Sequence, residues 1–237
     1  KYFPKDKYVG KLLQKELEAI SQIAEHGEKP VLAILGGAKV SSKLNILYNL
    51  IKKVDKIIIG GGMAYTFIAA QGGKIGESLI EDDLIENAKE ILEIAKTLNK
   101  EIILPDDIKA STDFNQNNLI KIFDSNKIGS GWMGLDIGPK TVEKIKKIIE
   151  NSRTVFWNGP AGYFENENFE NGSLQISKII ENNTKNNSLY SVVGGGDTIA
   201  VINKTGSLNN FNFVSTAGGA FLEYLEGKEL PGIKALN

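Results

Sequence analysis

Lys39 and Lys43 stand four residues apart just after the glycine pair Gly36-Gly37, in the string LGGAKVSSK. Glycine lets backbone N–H groups come close to a phosphate, and the positive end of a helix beginning there adds to the attraction. Four-residue spacing at a helix start puts both ammonium groups on one face. Lys39, nearer the strand edge, could then follow a moving phosphoryl group while Lys43 holds a neighbouring phosphate. Two solvated lysines on a surface helix are the ordinary alternative, and the flanking glycines argue against it. Apolar runs ending in glycine recur as KIIIGGGMA, TVFWNGPAG, YSVVGGGDT and FVSTAGGA. One such turn is a weak signal, but several in the same context point to a polyphosphate. The string GxxxxGK[ST] is absent, so this is not a Walker A loop.

Other side chains fall beside these turns. Asp197 follows Gly194, Gly195 and Gly196 at a helix start. There a carboxylate can serve as N-cap, or it can hold Mg²⁺ together with phosphate oxygens, and the metal role is the stronger reading. Thr198 adds a hydroxyl at the same place. In WNGPAGYFE a bend at Asn158, Gly159 and Pro160 precedes Tyr163 and Glu165. Glu165 could accept from ribose hydroxyls or simply be a surface acid. GWMGLDIGP, residues 131–139, reads as a glycine-punctuated bend whose Gly134 and Leu135 could form a flat slot for a purine. Gly218 and Gly219 open a last helix and a further anion site. Asp106 and Asp107 follow a strand and could face the crevice. His26 has no partner in sequence and reads as a surface residue, which argues against a histidine base.

The elements that must position these groups are legible as periodicity. Apolar runs at 31–35, 56–59, 101–104, 154–157, 189–193 and 213–215 suit buried parallel strands. Helical patterns fall at 9–26, 41–54, 63–70, 84–98, 141–151, 173–182, 198–204 and 219–226. Residues 106–131 break the alternation and, with LIKIF at 119–123, suggest a small antiparallel excursion. Residues 166–172 and 181–188 read as polar loops. The sum is an α/β fold: a doubly wound, six-stranded, mainly parallel, Rossmann-like sheet with helices on both faces. The strand C-termini, and so the glycine turns, gather along one crevice.

The 237 residues are 41% hydrophobic with formal net charge −1 and no cysteine. Disulfides and thiolate metal sites are excluded, as a reducing cytoplasm would favour. No basic stripe suggests nucleic acid, no apolar stretch is long enough for a bilayer, and the first ten residues lack a signal-peptide core. A chain opening on Lys rather than Met reads as a fragment or a processed product.

The strings LAILGGAKVSSK, IIIGGGMAYTF, GWMGLDIGP, VFWNGPAGYFE, VVGGGDT and LEGKELPGIKALN, in this order, resemble phosphoglycerate kinase. The resemblance covers that family's C-terminal, nucleotide-binding half (residues 28–237) and the interdomain-type helix before it (1–27). The N-terminal half, with its phosphoglycerate site, has no counterpart. It implies reversible phosphoryl transfer between 1,3-bisphosphoglycerate and ADP in glycolysis, in a cytoplasmic monomer, and a chain that binds MgADP or MgATP without turnover by itself. Lys39 would steady the phosphoryl group in flight, with Gly218 and Gly219 meeting it. Gly37, Ala38 and Lys43 would hold nucleotide phosphates, Gly194, Gly195, Gly196 and Thr198 would cradle them, and Asp197 would coordinate Mg²⁺. Glu165, with Asn158 and Pro160, would bind ribose, and Gly61, Gly134, Leu135 and Tyr163 would line the adenine slot. STAGGAF departs from the family's usual STGGGAS at Ala217 and Phe221, and Tyr163 is larger than the usual aliphatic residue. A dinucleotide-binding oxidoreductase domain shares the alternation, but no GxGxxG follows the first strand. A non-catalytic module would have lost Lys39, Asp197 or the glycines, and all are present.

Overall fold

Strand β1 (Val31–Leu35) consists of five apolar residues, all buried. Successive side chains of a strand point to opposite faces, so such a run needs cover on both sides. Val31, Ala33 and Leu35 enter one core and Leu32 and Ile34 another. The computed structural model describes residues 8, 10–114, 119–186, 188–206, 208–228, 230 and 234. Most of the 1–10 stretch and of the LEGKELPGIKALN ending after residue 228 lies outside them.

The other strands are β2 (Lys56–Ile59), β3 (Lys74–Ile75), β4 (Glu101–Ile103), β5 (Asp107–Ser111), β6 (Ile120–Asp124), β7 (Lys127–Ile128), β8 (Met133–Ile137), β9 (Thr154–Asn158), β10 (Tyr190–Gly194) and β11 (Phe213–Ser215). The helices are α1 (Lys11–Ala24), α2 (Leu44–Leu50), α3 (Met63–Ala70), α4 (Ile85–Thr97), α5 (Pro139–Glu150), α6 (Asn171–Lys185), α7 (Gly196–Thr205) and α8 (Gly219–Leu225). The six expected core strands form one parallel sheet in the order β11-β10-β9-β1-β2-β4. Helices α1, α2, α3, α4 and α8 cover the face of Val31, Ala33 and Leu35. Helices α5, α6 and α7 cover the other, with Trp157 buried at its centre. α1 buries Ala19, Ile20 and Ile23 in the first of these cores. α3 is buried along most of its length, from Met63 to Ile68.

Three expectations about the elements need correction. The helix at 41–54 is regular only over Leu44–Leu50, with turns on either side, because Val40 and Lys43 must both turn inward before it begins. The presumed bend at 131–139 contains strand β8, which pairs antiparallel with β5. β5 pairs in turn with β6, so the excursion is a three-stranded sheet. Residues 181–185 are the last turn of α6 and not a loop: Thr184 Oγ1 donates to the Ile180 carbonyl (2.8 Å) and lies within hydrogen-bond distance of Ser191 Oγ (2.9 Å), so the polar side chains there have partners inside the fold.

Asp106 and Asp107 do not face the crevice. Asp107 is 1% exposed and caps α5 from a neighbouring strand. Its carboxylate accepts from Lys140 N (3.1 Å), Thr141 N (2.8 Å) and Thr141 Oγ1 (2.7 Å). The N-cap residue itself, Gly138, has no side chain to do this. Asp106 pairs with Lys144 at 2.7 Å. Asp107→Ala is expected to cost about 2 kcal/mol, the upper range for a lost helix cap. Urea unfolding measures it, and a change under ~0.5 kcal/mol would contradict the capping role.

Candidate active site

The chain runs outward from β1 through β2 to β4, then returns to lay β9 on the other side of β1. β1 and β9 therefore flank the point where strand order reverses, which is where open α/β sheets bind ligands. The turns leaving these strands are interlocked by backbone hydrogen bonds: Gly36 N to Asn158 O (3.0 Å), Gly37 N to Pro160 O (3.1 Å) and Gly61 N to Ala161 O (2.9 Å). Gly159 has φ +97°, and a Cβ there would overlap the Gly36 carbonyl oxygen. Only glycine allows this approach.

Beneath the turns lies a buried polar knot. Lys43 is 9% exposed. Its Nζ donates to Asn158 O at 2.8 Å and also to Asn158 Oδ1. Asn158 Nδ2 donates to Gly194 O at 2.7 Å, and Gly159 N donates to Thr198 Oγ1 at 2.7 Å. Burial lowers the Lys43 ammonium to about 8, with the Asp197 carboxylate pulling the other way. An ammonium has three N–H donors. Two are engaged by Asn158, which leaves one for a further acceptor.

Above it opens a cleft of about 210 Å³. Nine of the sequence-derived residues line it: Gly37, Ala38, Gly61, Gly134, Leu135, Pro160, Tyr163, Glu165 and Asp197. Gly62, Tyr65, Leu79, Phe114, Met133, Gly162 and Phe164 complete the lining and were missed in the sequence. Tyr65 and Gly62 sit inside a string that the glycine pattern had already singled out. Phe114 lies in an Asp/Asn-rich stretch without periodicity and gave no signal; its ring meets Tyr163 edge-on at 5.8 Å between centroids.

Other residues take different places. Lys39 is exposed in the loop before α2 while Lys43 is buried, so the two do not share a helical face. The helix starts only at Leu44, and the i, i+4 rule does not apply ahead of it. The Lys39 loop is held by Glu81, whose carboxylate accepts from Ser41 N (3.0 Å) and Ser41 Oγ (2.6 Å). Asp197 is not an N-cap: that position is Gly195, and Asp197 lies exposed in the first turn of α7. Asn158, Gly194 and Thr198 are buried under the cleft, where Thr198 accepts from backbone. Gly195 and Gly196 form the start of α7.

Gly218 and Gly219 are exposed at the start of α8. Phe221 turns away from that surface into the core, 5.6 Å from Phe156 between ring centroids. Its bulk is absorbed by packing. Glu16, on α1 and 4% exposed, accepts from Thr216 N (2.9 Å) and Ala217 N (3.2 Å). This carboxylate pins the loop before α8, and nothing in the α1 sequence pattern signalled it. His26 is exposed and bonds to Ser21 Oγ at 2.7 Å.

The model of the family described as phosphoglycerate kinase matches residues 1–228. The chain belongs to the phosphoglycerate kinase family. It is 46% identical over 235 residues to a phosphoglycerate kinase of Campylobacter concisus, covering 99% of this chain and 58% of the relative. With that of Agrobacterium fabrum the identity is 48%, over 97% of this chain and 57% of the relative. The structure of phosphoglycerate kinase from Coxiella burnetii superposes with a TM-score of 0.91 at 40% identity, covering 96% of this chain and 57% of that one. The enzyme from Pyrococcus horikoshii gives 0.79 at 30% identity, over 96% and 56%. The chain thus spans a little over half the length of these members of the family. They share its sheet, and the oxidoreductase alternative finds no support among them. Among the described residues no helix is long and apolar enough to cross a membrane.

Proposed function

We propose that this chain supplies the nucleotide side of a phosphoglycerate kinase: it binds MgADP or MgATP in the switch-point cleft and serves phosphoryl transfer between 1,3-bisphosphoglycerate and ADP. The observation that carries the reading is the juxtaposition of a largely apolar cleft, lined by Gly37, Ala38 and Asp197, with a buried ammonium, Lys43, beside Gly37 and within the field of Asp197. Apolar lining with a few placed polar groups is what a nucleotide needs. The base enters between Gly61, Gly134, Leu135 and Tyr163, Glu165 takes ribose hydroxyls beside Pro160, and the phosphates lie over Lys43 toward the α7 N-terminus. Gly194 to Gly196 support that end.

Transfer of this kind asks for positioning and charge stabilisation rather than covalent chemistry by the protein. Exposed Lys39 swings toward the transferring group, and the backbone at Gly218 and Gly219 meets it from the far side. Asp197 fits a cation brought by the nucleotide: it is an exposed carboxylate at the cleft with no hydrogen bond or ion pair among the described residues. The described residues contain no group of three or more His, Cys, Asp or Glu that could hold a metal by itself. Bound there, Mg²⁺ would neutralise phosphate charge. The acid substrate is delivered by the part of the relatives' length that this chain does not span, and domain closure excludes water. The reading carries with it a cytoplasmic monomer.

Asp197→Asn is expected to leave ADP binding without metal unchanged and to abolish the gain that Mg²⁺ gives, on the order of tenfold. Calorimetric titrations with and without Mg²⁺ measure it, and an undiminished gain would remove Asp197 from the metal site. In a coupled assay the 237-residue chain by itself is expected to show no turnover. Full activity from it would refute the division of labour.

A further inference from the structure

The inner wall of the cleft carries a hydroxyl without a partner among the described residues. Tyr65 stands in the first turn of α3, 3% exposed, and lines the cleft. β8 passes close to it: a Cβ on Gly134 would overlap the phenol oxygen. Gly134 N already receives its bond from Ser78 Oγ at 2.8 Å. The Tyr65 hydroxyl makes no hydrogen bond among the described residues, yet it is not one of the partnerless side-chain atoms sealed from solvent. Buried tyrosine hydroxyls ordinarily find a partner, so this one awaits something that enters the cleft. Glu165, Asp197 and Tyr163 are exposed, and the other lining side chains are apolar or absent. Tyr65 is therefore the one buried polar side chain of the lining among the described residues.

Burial, and after it the Asp136 carboxylate, push the phenol above its ordinary range, so it stays neutral. The phenol's single O–H turns freely about its C–O bond, so a lone pair can face a donor that enters the cleft. We infer that the Tyr65 hydroxyl selects the base, accepting a hydrogen bond from the exocyclic amine of adenine and disfavouring a purine that lacks that amine. The inference rests on the reading of the cleft as a nucleoside diphosphate site. Discrimination is then a difference of one hydrogen bond made or left unmade in a dry slot.

The test titrates ADP, IDP and inorganic pyrophosphate into the wild-type chain and Tyr65→Phe. The wild type is expected to prefer ADP over IDP by about tenfold, the size of one such bond. Tyr65→Phe is expected to weaken ADP to the level of IDP while IDP and pyrophosphate stay within about twofold. An unchanged ADP-to-IDP ratio in the folded variant overturns the inference. Should the variant not fold, purine riboside diphosphate decides in the wild type: it should bind as weakly as IDP, and affinity equal to that of ADP overturns the inference. Failure of folded wild type to bind any of these ligands would instead overturn the nucleotide site itself.

Discussion

Replacing Lys43 with Met is expected to weaken ADP binding by about 100-fold, the scale of a charge-assisted hydrogen bond lost from a buried site, and to erase a pH dependence centred near 8. Burial lowers the Lys43 ammonium from 10.5 to about 8 in the free chain. A phosphate above it restores the charged form, so the complex holds its proton to higher pH. Binding then takes up a proton above about pH 8, and affinity falls as pH rises through that value. The stability of the free chain moves the opposite way. Between about 8 and 10.5 the unfolded chain binds more protons at this lysine than the folded one, so stability rises with pH across that window. Lys43→Met should flatten both slopes, because neither form carries the proton. Calorimetry in buffers of different ionisation enthalpy reads the uptake directly. The variant should remain folded, since Asn158 keeps its bond to Gly194 O at 2.7 Å. Binding of ADP to folded Lys43→Met at wild-type affinity would mean that the amine serves only the knot beneath the cleft.

Gly159→Ala is expected to destabilise the chain by about 3 kcal/mol or more, through a strained positive φ and an unavoidable overlap, and to remove ADP binding. The added Cβ would overlap the Gly36 carbonyl and lie 2.9 Å from Lys43 Nζ. The first of these is backbone in the neighbouring turn and cannot step aside. Relief requires β1 and β9 to part at their ends, which breaks the bonds from Gly36 N to Asn158 O and from Gly37 N to Pro160 O. Denaturant unfolding gives the stability change, and titration of the surviving folded fraction gives the binding. A variant within ~0.5 kcal/mol of wild type, with intact affinity, would show that the turns are not locked as described.

The sheet was legible because its strands obey one rule throughout. A run such as VLAIL at 31–35 has no polar face and must be covered twice, and the helices between such runs have no other place to go. The glycine turns were legible for the same reason, since they end those runs. Short-range geometry was less so. The spacing of Lys39 and Lys43 presumed a helix that begins only at Leu44, and the difference puts one lysine in solvent and the other under the cleft. β8 was hidden because its glycine and aspartate resemble a turn, whereas both serve contacts with helices: Gly134 makes room for Tyr65 of α3, and Asp136 accepts from Gly172 N of α6 at 2.8 Å. Burial pushes the Asp136 carboxyl up to about 7. Asp107 was expected at the crevice and Glu16 drew no reading, because the groups they hold are 33 or more residues away in sequence. Pattern shows which residues a strand or helix needs, but not which distant backbone a buried carboxylate will cap.

The most direct test of the account is a calorimetric titration of the wild-type chain with ADP and Mg²⁺ at pH 8.5, repeated in two buffers of different ionisation enthalpy. Saturable one-to-one binding accompanied by proton uptake is expected, since Lys43 at about 8 regains its charge under the phosphates. A folded chain that binds no ADP, or binds it without exchanging a proton, would contradict the claim that the switch-point cleft and its buried lysine form the nucleotide site.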